Sequence, residues 1–171
     1  MSALPRTLRK FNLFIDGVGF AAECLEVKLP KIAMKTEDYS GAGMIGSVAL
    51  LKAIEKLEME HTYNGPIPEI IATFGAEKHD ATRLRWMGSY SNEATGEAHA
   101  VEITVGGRNN ELDQGDAKAG ENGSFKVKTD ITYYRQVMDS KELLEIDIVN
   151  DVFRVMGVDR LEQHRRNVGL F

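Results

Sequence analysis

Glycines 41, 43 and 46, in the stretch "DYSGAGMIGSV" (residues 38–48), satisfy the spacing G-x-G-x-x-G. In a dinucleotide-binding unit those glycines carry the chain round a tight turn and bring backbone amides at a helix N-terminus up to a pyrophosphate. The chemistry needs an apolar strand feeding the first glycine, and an acidic residue about 20 positions on, at the end of a second strand. Here the approach, "KTEDYS", is polar and charged. Glu60 lies near the expected distance, but its stretch "LEMEHTYNG" alternates like a half-exposed antiparallel strand, and no βαβ alternation follows. A nucleotide-binding enzyme using Gly41, Gly43 and Gly46 is thus an alternative reading without its scaffold.

The other reactive side chains form no constellation. His61, His79, His99 and His164 stand far apart and lack metal-ligand spacing. His61 and His99 fall in strand patterns and read as strand-face histidines. Cys24 is the single cysteine, so no intrachain disulfide is possible, and its alternating neighbours make it a half-buried strand residue rather than a nucleophile. Asp113, Asp116 and Glu121 fit no EF-hand pattern and read as a solvated acidic loop. The basic run His164–Arg166 suits the end of a short helix. Trp86, Tyr90, Tyr133 and Tyr134 read as packing residues in strands rather than a nucleic-acid platform. No catalytic, cofactor or metal site is expected.

The elements that would position these residues are mostly strands. "KFNLFIDG" places Phe11, Leu13 and Ile15 on one face and ends at the turn pair Asp16-Gly17. "CLEVKLP" alternates Leu25, Val27 and Leu29; "LEMEHTYNG" alternates Leu57, Met59, His61 and Tyr63; "AVEITVGG" aligns Val101, Ile103 and Val105. "FKVKTDITYYRQV" sets Phe125, Val127, Thr129, Ile131, Tyr133 and Arg135 on one face, "MDSKELLEID" turns at Asp139-Ser140, and "DVFRVMG" makes a last strand. "VALLKAIEKLEM" fits a helix or two strands around a break. Two short helices are expected: "PIPEIIATFG", with Ile70, Ile71 and Phe74 on one stripe, and "DRLEQHRRNVG", where Asp159 and Glu162 have capping-box spacing. Residues 106–123 read as one long polar loop. Many short strands with two short helices indicate a mainly β, sandwich or barrel-like fold.

The 171 residues, 43% hydrophobic and 27% charged, suit one domain over 1–171. No apolar run is long enough to span a membrane, and the N-terminus lacks a secretory pattern. The net charge of −5 is uneven: residues 36–130 carry nine basic and sixteen acidic side chains. Such a middle region argues against tight nucleic-acid binding and suits a surface that lets an anion pass without holding it.

The chain as a whole resembles the major tail tube proteins of contractile-tailed phages, a family that includes the inner tube of R-type pyocins. The matching segments are "LPRTLRKFNLFIDG", "LPKIAMKTEDYSGAGMIGSV", "GSYSNEATGEAHAVEITVGGRNNELDQGDAKAGE" and "TYYRQVMDSKELLEIDIVNDVFRVMGVDRLEQHRRNVGLF". The resemblance implies a non-enzymatic structural subunit of the virion, assembled in the host bacterial cytoplasm. Hexameric rings stack into a hollow tube inside a contractile sheath, with baseplate or initiator and tape measure proteins as further partners. DNA passes non-specifically, and no membrane or cofactor is bound. The inner tube of a phage-derived bacteriocin is the alternative within the family. By position, a hairpin reaching the neighbouring ring corresponds to residues 38–63, with Tyr39, Gly41, Gly43, Met44, Ile45, Val48 and Leu50 as inter-ring contacts. Asp113, Asp116, Lys118 and Glu121 would lie among inter-subunit contacts, and Glu58 and Glu60, on one face by alternation, would line the lumen.

Overall fold

The alternation at Phe11, Leu13 and Ile15 makes a strand, β1 (Arg6–Ile15), in a computed structural model that describes residues 4–170. Met1–Ala3, at the start of the stretch read for a secretory pattern, and Phe171 of the C-terminal string lie outside the described residues. Asp16 and Gly17 take positive φ (47° and 90°) and turn the chain into β2 (Val18–Gly19). β3 (Cys24–Lys28), β4 (Met34–Tyr39), β5 (Val48–Ile54) and β6 (Leu57–Tyr63) follow, then the helix α1 (Pro68–Ala72). Three long strands come next, β7 (Thr82–Asn92), β8 (Ala98–Asp113) and β9 (Phe125–Met138). The chain ends in β10 (Lys141–Asp147), β11 (Val152–Val155), β12 (Val158–Asp159) and α2 (Glu162–Asn167). Among the described residues no helix is long and apolar enough to cross a membrane.

Ten strands form one antiparallel sheet in the order β12-β11-β10-β9-β8-β7-β1-β2, with β3 and β6 branching from β9. The first half of β9 pairs with β6 and its second half with β10. The sheet branches at this change of partner. Register slips between Gly106 and Gly107, where Tyr133 faces Gly106 but Ile131 faces Gly107, leaving Thr132 as an extra residue. A Cβ on Gly107 would lie 2.0 Å from the Asp130 carbonyl, so only glycine permits this approach. Both parts of the sheet contribute to one core that joins Leu13, Leu84, Trp86 and Val105 to Leu57, Met59, Tyr63 and Val127.

Most of the expected strands are present, and β6 alternates between buried and half-buried residues along its whole length. Several expectations are corrected by bulges. In β9 the expected face holds from Phe125 to Ile131; beyond Thr132 it switches, so Tyr134 is buried while Arg135 is exposed. In β3 an extra residue between Cys24 and Glu26 turns Leu25 out to solvent. Residues 106–113 belong to β8, so the long loop covers only 114–124. The segment "VALLKAI" is a strand, and the projecting hairpin is β4–β5, Met34–Ile54; β6, included in the expected 38–63 span, is a core strand. In α1 only Ile70 of the expected stripe is buried; Ile71 and Phe74 face outward, because the helix is a little over one turn long. The expected capping box does not form at α2. Asp159 instead accepts the Leu161 amide and pairs with Arg165 at 2.6 Å, while Glu162 pairs with Arg166.

Candidate functional site

The β4–β5 ribbon stands apart from the large sheet as a separate two-stranded sheet. Isolated hairpins are marginal in water because neither face is covered. This one leaves Tyr39, Met44, Ile45, Val48, Leu50 and Leu51 exposed, with Ile45 fully in solvent. Cross-strand pairing puts Tyr39 opposite Val48 and Glu37 opposite Leu50, and a Glu37–Lys52 ion pair at 2.9 Å lies on the same ribbon. At the tip, the Gly41 carbonyl accepts the Met44 amide at 3.1 Å and Gly43 takes φ 90°. Tyr39 and Met44 side chains close over Gly41, where a Cβ would meet the phenol oxygen at 3.2 Å. The glycines therefore build a turn between antiparallel strands. No helix follows them to present amides to a phosphate, so the scaffold of the nucleotide reading is absent.

A second candidate surface is the row β3-β6-β9-β8. Its core face carries Val27, His61, Val127 and Leu112, and its other face is charged. Across that face Lys28 lies beside Glu60, Glu60 beside Lys128, and Lys128 beside Glu111, a row of alternating sign. Glu58 accepts from Lys56 at 3.0 Å and Lys128 at 2.9 Å, and Lys56 also reaches Asp130 at 2.7 Å. Hydrogen bonds from Lys128 and then Lys56 hold the Glu58 carboxyl below the usual range. Glu58 and Glu60 thus share one face, as alternation required, but among lysines rather than as a bare acidic wall.

The row has two free edges. Among the described residues β3 pairs only with β6. β7 ends at Thr82 opposite Gly107, so among the described residues β8 from Arg108 to Asp113 has β9 as its one strand partner, with the Asn109 carbonyl also accepting the Gly75 amide at 3.3 Å. Next to this edge, Asp113 accepts the Gly115 amide at 2.9 Å and opens the loop, where Asp116, Lys118 and Glu121 are exposed and Lys118 lies 3.7 Å from Glu121. The edge of β8 was hidden from sequence reasoning inside an apparent loop, because a bulge between Asn109 and Glu111 and two adjacent glycines break its alternation.

The remaining groups settle into structural roles. Burial pushes the Cys24 thiol up to about 11, which leaves it protonated. His61 is buried and His99 Nδ1 donates to the Asp139 carboxylate at 2.7 Å, both on strand faces. Trp86 stacks on Phe11 at 6.3 Å and meets Tyr90 edge-on at 6.4 Å. Burial pushes the Tyr134 phenol up to about 12, and burial with the Glu145 hydrogen bond does the same for Tyr133.

A family described as phage tail tube protein FII matches residues 5–169. The tail tube protein of Escherichia phage P2 is 43% identical over 171 residues, covering 98% of this chain and 99% of its own. The major tail tube protein of Serratia phage KSP20 is 36% identical over 157 residues, 91% of this chain and 90% of its own. In fold, the chain is similar to the sheath/tube terminator of an extracellular contractile injection system (TM-score 0.57, 13% identity, 79% of this chain and 96% of that one). It is also similar to a chain of the sheath-tube complex of such a system (TM-score 0.54, 15% identity, 79% and 91%).

Proposed function

The chain belongs to the phage tail tube protein family and is a structural, non-enzymatic tail tube subunit of the virion tail, and from that premise we propose how its copies join. Copies join side by side through the free edges of the β3-β6-β9-β8 row, and the resulting rings stack through the β4–β5 ribbon. The observation that carries this is the pair of unpaired edges on one four-stranded row. Unpaired edges are aggregation-prone unless something pairs with them. All contacts along the row are antiparallel. With four strands per copy, β3 of one copy meets β8 of the next also antiparallel, so the sheet closes around any ring; six copies is the number the family resemblance supports. The alternation of charge continues across that junction, since Glu111 at one edge meets Lys28 of the next copy.

The charged face of the row then lines the lumen. Each lysine there has a carboxylate neighbour, so passing DNA finds no free cation to hold it. Tyr39, Met44, Ile45, Val48 and Leu50 supply the inter-ring contacts, and Asp113, Asp116, Lys118 and Glu121 border the junction. Head-to-tail contact of this kind is heterologous and propagates into an open assembly. The outer surface meets the sheath, and initiator and tape measure proteins bound the tube; assembly takes place in the host bacterial cytoplasm.

Electron microscopy of the purified chain tests the reading. Stacked rings are expected, abolished by Lys28→Glu and partly restored when Glu111→Lys is added. A monomer at every concentration, with or without an initiator, overturns the assembly; unchanged rings in Lys28→Glu overturn the edge assignment.

A further inference from the structure

A chain of buried and half-buried side chains runs from β6 to α1 through the free edge of β8. Its direction can be worked out from one end. The Ile70 carbonyl can only accept, so the Thr73 hydroxyl donates to it at 2.8 Å. With its proton committed, Thr73 Oγ1 accepts from Asn109 Nδ2 at 2.9 Å. That sets the Asn109 amide, whose Oδ1 accepts from the Thr129 hydroxyl at 2.6 Å. Thr129 in turn accepts from His61 Nε2 at 3.0 Å, which places the imidazole proton on Nε2. Nδ1 is then bare and accepts the Tyr63 hydroxyl at 2.7 Å. Every link is fixed by the one before it, and His61, Asn109 and Thr129 are buried.

We propose that this one-directional relay is a clamp that holds the free edge of β8 in its joining register, with His61 as its positioning residue in the neutral Nε2–H form. The proposal rests on the edge assignment above. Asn109 is the residue before the bulge in that edge, and its backbone carbonyl also accepts the Gly75 amide, so the relay and the α1 connection hold the bulge from both sides. Protonating His61 puts a hydrogen on Nδ1 facing the Tyr63 hydroxyl, which must turn away, and no other partner for that hydroxyl is present among the described residues. The titratable groups facing this site are Tyr63 on β6 and Cys24 on β3, with Glu23 acting on Tyr63 from the turn before β3. Burial raises both the phenol and the thiol, so neither supplies a charge to stabilise an imidazolium. Burial also pushes His61 down to about 3. The unfolded chain therefore takes up this proton below its ordinary value of ~6.5 while the folded chain refuses it, and the folding equilibrium constant falls about tenfold per pH unit toward 3.

The test uses the unassembled full chain. Nitrogen NMR of the histidines should find His61 with Nε2 protonated and Nδ1 bare at neutral pH; the other tautomer overturns the proposal. His61→Gln keeps an acceptor and a donor, so amides 108–113 should stay protected from hydrogen exchange within about threefold of the native chain. His61→Phe should lose about tenfold or more there while β1 and β7 are unaffected; equal protection in both variants overturns the clamp. Between pH 6.5 and 4 the native chain should lose about tenfold more in folding constant per unit than His61→Gln, and parallel pH profiles overturn the role of the proton. Rings that fail to form while all three readouts hold would count against the edge assignment and leave the relay standing.

Discussion

Gly107 and Gly88 have no room for a side chain, and for different reasons. At Gly107 the obstacle is backbone: a Cβ would sit 2.0 Å from the Asp130 carbonyl, which cannot move without opening the β8–β9 ladder. Gly107→Ala should therefore cost about 3 kcal/mol, read as a lower urea midpoint. At Gly88 the obstacle is the Trp86 indole, 2.3 Å away and buried, and Gly88→Ala should cost about 1–3 kcal/mol through displaced packing. Gly43 has open space but φ 90°, so Gly43→Ala should strain the ribbon tip alone and leave the urea midpoint of the domain unchanged. Asp159 is a further residue with a clear expectation. The Arg165 hydrogen bond holds its carboxyl below the usual range, so its contribution is present above ~4 and is lost as pH falls through the lower folded value. Asp159→Asn should cost about 1–3 kcal/mol at pH 7, and the difference should shrink as the pH falls through the folded value. A difference independent of pH would mean that Asp159 acts through its Leu161 amide bond rather than its charge.

On the proposed stacking, removing the ribbon should separate folding from assembly. Met34 and Ile54 are paired across its base, so joining them by a two-residue turn after deleting residues 35–53 preserves the ends. The shortened chain should melt within a few degrees of the native one and form rings that do not stack. Stacked tubes of ordinary length from this variant would remove the ribbon from the inter-ring contact. A deletion running to Glu60 tests something else: it removes Leu57 and Met59 from the core and should unfold the domain. The sequence could not place this boundary, because "VALLKAIEKLEM" alternates imperfectly, and Glu55 and Lys56 carry no turn signature. It did place β6, where strict period-two alternation against a buried face leaves one register.

At the scale of the molecule, the proposed lumen face ties the passage of DNA to its balance of charge. Glu58→Lys with Glu60→Lys would remove the Glu60 neighbour of Lys28 and leave Lys56 only Asp130 and Lys128 only Glu111, so that two carboxylates become two cations and the face turns basic. Ejection should slow, most strongly at low salt, and unchanged kinetics would mean that this face does not line the lumen. The acidic composition of residues 36–130 was legible from the sequence, but the local partners of each carboxylate were not. Lys128 reaches Glu58 only because β9 pairs beside β6. The edge of β8 and the relay through Asn109 were illegible for the same reason, since both depend on a bulge whose partner strand is distant in sequence.

The sequence by itself determined a mainly β chain with two short helices, because period-two alternation and turn pairs such as Asp16-Gly17 are local and need no partner to be recognised, and its longer motif strings carried the resemblance to the tail tube family. Only the tertiary structure decided which faces switch at Leu25 and Thr132, which edges stay unpaired, and that the glycines at 41, 43 and 46 cap a ribbon rather than cradle a phosphate. Those outcomes depend on register between strands, and register is set by what lies across the sheet, not along the chain.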